Sequence, residues 1–225
     1  MIKNLVELTK VRIGFLVLTT TIIGFYLGSQ GSFSSSLLMY TILGTLFSST
    51  GGSILNNVIE IDSDKNMERT KKRVLPTKKI SFKFALFLGL AFAITGLFIL
   101  YFKVNTLTAT LSFLTIALYL FVYTPLKRVS WINTSIGAIP GAIPPLGGWT
   151  AATNSLDLGG IALFLILFFW QHPHFYAIAF MYKDDYANAG LKMLPVVENG
   201  AKRTVIHIFL HALILIPIST LPFFF

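Results

Sequence analysis

Apolar runs of roughly 20 residues recur along the chain, and this restricts the fold to helices that cross a bilayer. Seven such runs are present, at residues 11 to 29, 36 to 59, 83 to 102, 106 to 124, 131 to 152, 158 to 181 and 204 to 225. They are continuous rather than alternating, which argues against a β-barrel. Composition agrees, with 54% hydrophobic and only 12% charged residues. The expected fold class is all-α: a polytopic transmembrane helix bundle of about seven spans, in one domain over residues 1–225. There is no cysteine, so disulfides, thiolate metal sites and cysteine nucleophiles are excluded. No cleavable signal or transit segment is read before the first run.

The charged residues orient these spans. Seventeen of the 18 Lys and Arg residues fall on one side, and Lys103 alone lies opposite. By the positive-inside tendency that side is cytoplasmic, in a multi-pass cell-membrane protein. The net charge of +9 therefore reports topology, and a nucleic-acid partner is not expected. Eight of the nine acids share the basic side, with Asp157 the exception. Chemistry is thus expected at one face, in two loops.

The first of these loops, residues 56 to 73, reads NNVIEIDSDKNMERTKKR. Asn56, Glu60 and Asp64 are spaced four apart and form one stripe on a helix, flanked by Asn57 and Asp62. Carboxylates this close repel unless a cation sits among them. Hard oxygen ligands suit Mg²⁺, which completes its shell with water and substrate phosphate. The following Lys65, Arg69, Lys71, Lys72 and Arg73 are suited to the phosphate itself. A solvated charged loop is the plain alternative, but these acids begin inside an apolar run. The second loop places Asp184 and Asp185 beside Lys183 and Tyr186.

Within the spans, SIGAIPGAIPPLGGW carries Pro140, Pro144 and Pro145 among several glycines. Such a helix is expected to bend or break; a kinked packing helix and a cavity-lining one both remain open. Gly51 and Gly52 allow close approach by another helix. His172 and His174 lie in WQHPHFYA, and His207 and His211 are one turn apart. Intramembrane histidines either bond between helices or hold a metal or haem iron.

These segments resemble the UbiA superfamily of intramembrane prenyltransferases, and within it the haem-farnesylating branch. The first aspartate-rich motif is matched by Asn56, Asn57, Glu60, Asp62 and Asp64 followed by KNMERTKKRVLP, and the second by YKDDYANAGLKMLPVV. LTKVRIGFL, YTPLKR, IPGAIPPLGGW and WQHPHFYAIA support the match, which covers nearly the whole chain in order. Glu60 stands where aspartate is common, and Val11 where proline is common. Family members have nine helices, so the last two are expected to be lacking here.

The resemblance implies Mg²⁺-dependent transfer of farnesyl from farnesyl diphosphate to a vinyl group of haem B, giving haem O. Asn56, Glu60, Asp64, Asp184 and Asp185 are then the expected catalytic residues, and these with Asp62 the expected metal ligands. Asn57, Arg69, Lys71, Lys72, Arg73, Lys183 and Tyr186 would bind substrate, with His174 and, second, His172 on the haem. Haem B is expected as substrate, not cofactor. Partners would be farnesyl diphosphate, haem B, the lipid bilayer and a downstream haem-modifying enzyme or oxidase assembly. Two alternatives are weighed. One is a UbiA-type enzyme acting on an aromatic or quinone precursor. The other is a cation or proton transporter, which should carry acids at both faces.

Overall fold

Polar residues at the edges of the apolar runs start the long helices. A computed structural model describes residues 2–224, and among them every regular element is helical. A short helix α1 (Ile2–Leu8) leads into α2 (Val11–Gly28) and α3 (Ser35–Ile59), followed by the small α4 (Ile61–Lys65). Then come α5 (Phe82–Lys103) and α6 (Thr106–Ala117), which runs through a π-helical turn (Leu118–Tyr123) into α7 (Thr124–Leu126). The remaining helices are α8 (Asn133–Thr153), α9 (Leu158–Met181), α10 (Lys183–Asn188), α11 (Leu194–Val197) and α12 (Lys202–Ser219), with a 3₁₀ turn at Leu221–Phe224. Side-chain oxygens of Ser34, Ser81, Asn105 and Asp157 accept from backbone N–H groups in the first turns of α3, α5, α6 and α9. These caps satisfy donors that the helix leaves unpaired.

Over the described residues each of the seven expected runs is helical for nearly all of its length. Six are long and apolar enough to cross a membrane; α8, with its prolines and glycines, is the seventh. Of the two outcomes expected for the proline-rich span, a break is not seen: α8 is a single helix from Asn133 to Thr153 that carries Pro140, Pro144 and Pro145, with most of its residues buried. Neighbouring helices enclose it: α2, α6 and α9 all pack against it. Small residues permit the approach, since a methyl group at Gly148 would collide with the Thr21 and Phe25 backbone of α2. Gly51 does the same for α3 on α5, where a Cβ would strike Ala93, and α3–α5 is the most extensive helix pair. Close packing, rather than a ligand, explains that glycine.

The irregularity lies instead in the fourth span. The π turn at Leu118–Tyr123 precedes Pro125, and Thr124 Oγ1 bonds back to the Tyr119 carbonyl at 2.7 Å. Widened turns of this kind recur at functional sites. This one sits beside the first acidic motif.

Candidate active site

The first motif is built at the end of α3. The helix closes at Ile59, yet Glu60 N–H still reaches the Asn56 carbonyl (2.9 Å) and Asp64 N–H reaches that of Glu60 (2.8 Å). The i to i+4 ladder thus survives the change to α4, and Asn56, Glu60 and Asp64 stay on one stripe. Asn56 is 1% exposed. Its Oδ1 accepts from Lys10 Nζ (3.1 Å) and Tyr119 OH (3.0 Å), and its Nδ2 donates to Thr124 Oγ1 (3.1 Å). Both lone pairs of that oxygen are therefore in use, and Asn56 organises the site from within rather than offering a free metal ligand.

Each acid of the stripe has found a base. Glu60 takes Lys127 Nζ at 2.6 Å, both side chains being mostly buried. Asp64 is gripped by Arg73 Nη1 at 2.9 and 3.1 Å, and Thr70 Oγ1 donates to its carbonyl. Loss of water alone would raise the Glu60 carboxyl, but Lys127 outweighs it and holds Glu60 below the usual glutamate range. For Lys127 burial works in the opposite sense, downward, and Tyr123 with Glu60 overrides it, so the ammonium is held above its ordinary value. Lys127 Nζ also lies 4.5 Å from the Tyr123 ring centre. The enclosed ammonium of Lys10 goes the other way, drawn down to about 8 by loss of water and by Arg73.

The helical turn that buries Asp64 carries Asp62, also expected as a ligand, to the outside, its side chain 83% exposed and paired with Lys65 at 2.9 Å. Asn57 is buried, its Nδ2 bonded to the Leu8 carbonyl (3.0 Å) and its Oδ1 without a partner. Lys71 pairs with Glu68 (2.5 Å), and Lys72 is exposed.

Across from this group, α10 carries the second motif. The Asp185 carboxylate accepts from the backbone N–H of Glu68 (2.8 Å) and Arg69 (3.2 Å), so the two acidic loops meet directly. Arg69 lies over the Tyr182 ring and approaches Tyr186 OH at 3.5 Å. Burial raises the Tyr186 hydroxyl above its ordinary value, keeping it a donor. An open cavity of about 500 Å³ is lined by Glu68, Arg69, Met181, Tyr182, Asp184 and Asp185. Asp184 is exposed there, and Lys183, half-buried, is not part of the lining. Among the described residues no three His, Asp or Glu side chains gather closely enough to hold a metal ion by themselves. The donor set nevertheless fits Mg²⁺ in kind, being hard oxygens only.

The histidines divide. His172 is fully buried, bonded to the Phe168 carbonyl (2.8 Å) and Ser135 Oγ (3.1 Å) and stacked on His211 at 4.0 Å. It is held between helices, bonded and stacked on both sides. His174 is exposed, lying flat against Trp170 at 4.8 Å.

Lys10, Tyr119, Thr124 and Lys127 carry no site role in the sequence reading, although LTKVR holds Lys10 and YTPLKR holds Thr124 and Lys127; Tyr119 lies outside both segments. The signal for a role was a lysine at the membrane edge of a span.

Residues 17–225 match the UbiA prenyltransferase family. A protoheme IX farnesyltransferase of Solibacter usitatus is 43% identical, the match covering 98% of this chain and 78% of the relative. That of Aquifex aeolicus is 41% identical over 99% of this chain and 76% of its own. Among solved structures, digeranylgeranylglyceryl phosphate synthase superposes with TM-score 0.81 at 18% identity, over 99% of this chain and 77% of the other. A UbiA homolog from Archaeoglobus fulgidus bound to DMAPP and Mg²⁺ gives 0.77 at 17% identity, over 96% and 76%.

Proposed function

The chain belongs to the UbiA prenyltransferase family, and from that premise we propose that it transfers the farnesyl group of farnesyl diphosphate to a vinyl group of haem B. It is a prenyltransferase, similar at 40–43% identity to proteins named protoheme IX farnesyltransferase. The observation that carries the reading is the junction of the two motifs through Asp185 and the Glu68–Arg69 backbone. It joins a base-rich loop to an acid-rich one at a single mouth. The helices act as one prenyltransferase domain, and the positive-inside bias puts this mouth at the cytoplasmic face of the cell membrane.

Asp64, Asp184 and Asp185 are the residues that would hold Mg²⁺, with Glu60 kept as the counter-ion of Lys127. When bound, the metal neutralises diphosphate charge as the C–O bond breaks. Arg69 sits at the cavity and takes phosphate oxygens; Arg73 can exchange Asp64 for phosphate. The allylic C1–O bond breaks with its electron pair leaving on the diphosphate. The vinyl π electrons of haem then form the new C–C bond to C1. Water adds to the resulting cation and loses a proton, giving the hydroxyethylfarnesyl substituent. Tyr119 and Tyr123, stacked at 5.7 Å beside the motif, present π faces to positive charge. His174 is preferred over His172 for haem contact. It lies on the face of α9 that carries Met181 seven residues on, about 10 Å away, and Met181 lines the open cavity.

Membranes holding the protein, incubated with haem B, farnesyl diphosphate and Mg²⁺, should yield haem O by mass spectrometry, and a chelator should abolish it. Farnesylation of an aromatic acid with haem left unmodified supports the quinone-precursor alternative instead.

A further inference from the structure

Under the first motif, charges of both signs are packed together without being balanced. Glu60 is taken by Lys127 and Asp64 by Arg73. Lys10 stands beside both pairs, and no carboxylate of the described residues lies within ion-pair distance of it. Its ammonium donates only to an amide oxygen, Asn56 Oδ1. Three cations thus face two carboxylates. Glu7 lines the same cavity of about 30 Å³ as Lys10, Asn57, Asp64 and Arg73, but it is exposed, gives its Oε1 to the Val74 N–H at 3.0 Å, and makes no ion pair with Lys10. The Lys10 backbone is also in the left-handed region (φ 50°, ψ 48°) at the turn between α1 and α2. A lysine is uncommon there, and such conformations persist where the surroundings demand them.

A half-buried charge with no counter-charge in ion-pair reach is costly. Its retention beside two satisfied pairs calls for an anion that arrives later. We propose that Lys10 is a diphosphate-binding residue, held by Asn56 so that its free charge is matched only when the leaving group occupies the site. This rests on the prenyl-diphosphate reading above and adds a residue from the α1–α2 turn to the two acidic loops. In this scheme Asn56 is the support of a cation.

The test uses the full-length protein in detergent, titrated with inorganic diphosphate, farnesyl diphosphate and haem, with thermal unfolding recorded without ligand. Lys10→Met should weaken both diphosphates about ten- to a hundredfold, as expected for a lost charge-assisted contact, and leave haem affinity unchanged. Its ligand-free unfolding midpoint should equal or exceed that of the unsubstituted protein, because the charge removed had no counter-charge and Asn56 Oδ1 keeps the Tyr119 hydroxyl as donor. Lys10→Gln keeps an amide donor for Asn56 without the charge and should show the same binding loss, even if Lys10→Met folds poorly. A lowered midpoint with all ligands weakened together makes Lys10 a structural support and overturns the proposal, as does unchanged diphosphate affinity. If the unsubstituted protein binds neither diphosphate, the prenyl-diphosphate reading falls and Lys10 with it. Binding retained in the unsubstituted protein and equally in both variants rejects Lys10 alone.

Discussion

Asp185 and Arg69 lie 116 positions apart, yet the carboxylate of one accepts from the backbone N–H of the other at 3.2 Å, beside a second bond from Glu68 at 2.8 Å. A side chain of the second motif thereby sets the backbone of the first. Arg69 is aimed by this contact and by Tyr182 beneath it, so the two motifs act as one unit.

Asp64→Ala and Asp185→Ala should each lower haem O formation by orders of magnitude while the protein still inserts. A solvated loop acid would cost well under tenfold, a difference in barrier of roughly 1.4 kcal/mol. Asp185→Ala should in addition speed hydrogen exchange at Glu68 and Arg69, which lose their acceptor. Near-normal turnover in both variants would remove these acids from the site.

Arg69→Ala and Arg73→Ala should differ in kind. Arg69 is exposed, and its loss should weaken diphosphate about ten- to a hundredfold with little change in unfolding. Arg73 neutralises a buried Asp64, so its removal should also destabilise by about 3 kcal/mol. Diphosphate titration beside thermal unfolding separates the two; equal destabilisation would contradict the assignment.

Glu60→Gln should destabilise at pH 7 by leaving Lys127 enclosed without its counter-ion. The Glu60 carboxyl is held below its unfolded value, so the pair's contribution is complete above the ordinary glutamate range. It fades as pH falls through the depressed value. Unfolding midpoints followed from pH 7 to about pH 3 should drop less steeply in Glu60→Gln below the ordinary glutamate range. A parallel fall in both proteins shows that the pair carries no such linkage.

His172→Ala should cost about 1–3 kcal/mol, since Ser135 and the Phe168 carbonyl lose their partner inside the bundle. His174→Ala should leave stability within about 0.5 kcal/mol yet reduce haem affinity and transfer. Haem titration in detergent decides it. Unchanged haem affinity with normal transfer excludes His174 from the haem contact.

Seven helical runs, six of them long and apolar enough to cross a membrane, and the gathering of the two acidic loops on one side were legible in the sequence. Hydrophobic length and charge asymmetry are one-dimensional properties of a chain meeting a bilayer. The stripe Asn56, Glu60 and Asp64 was legible too, because its i to i+4 spacing is local and survives the break at Glu60. What each acid does was not. Glu60 meets a lysine 67 residues away, and Asp64 is filled by Arg73, so charges that read as open metal ligands are already paired. Asp62, two residues from Asp64, faces outward because the α4 turn sends neighbours in different directions. The prolines of α8 left a bend and a break both open, and only the structure shows one continuous helix packed among α2, α6 and α9. His172 and His174 are separated by one residue and by about 200° around α9, so helix packing alone determines that one is buried and the other open. Only the tertiary structure brings Lys10 beside these pairs without a carboxylate of its own, since charge balance within a site depends on which distant groups already hold one another.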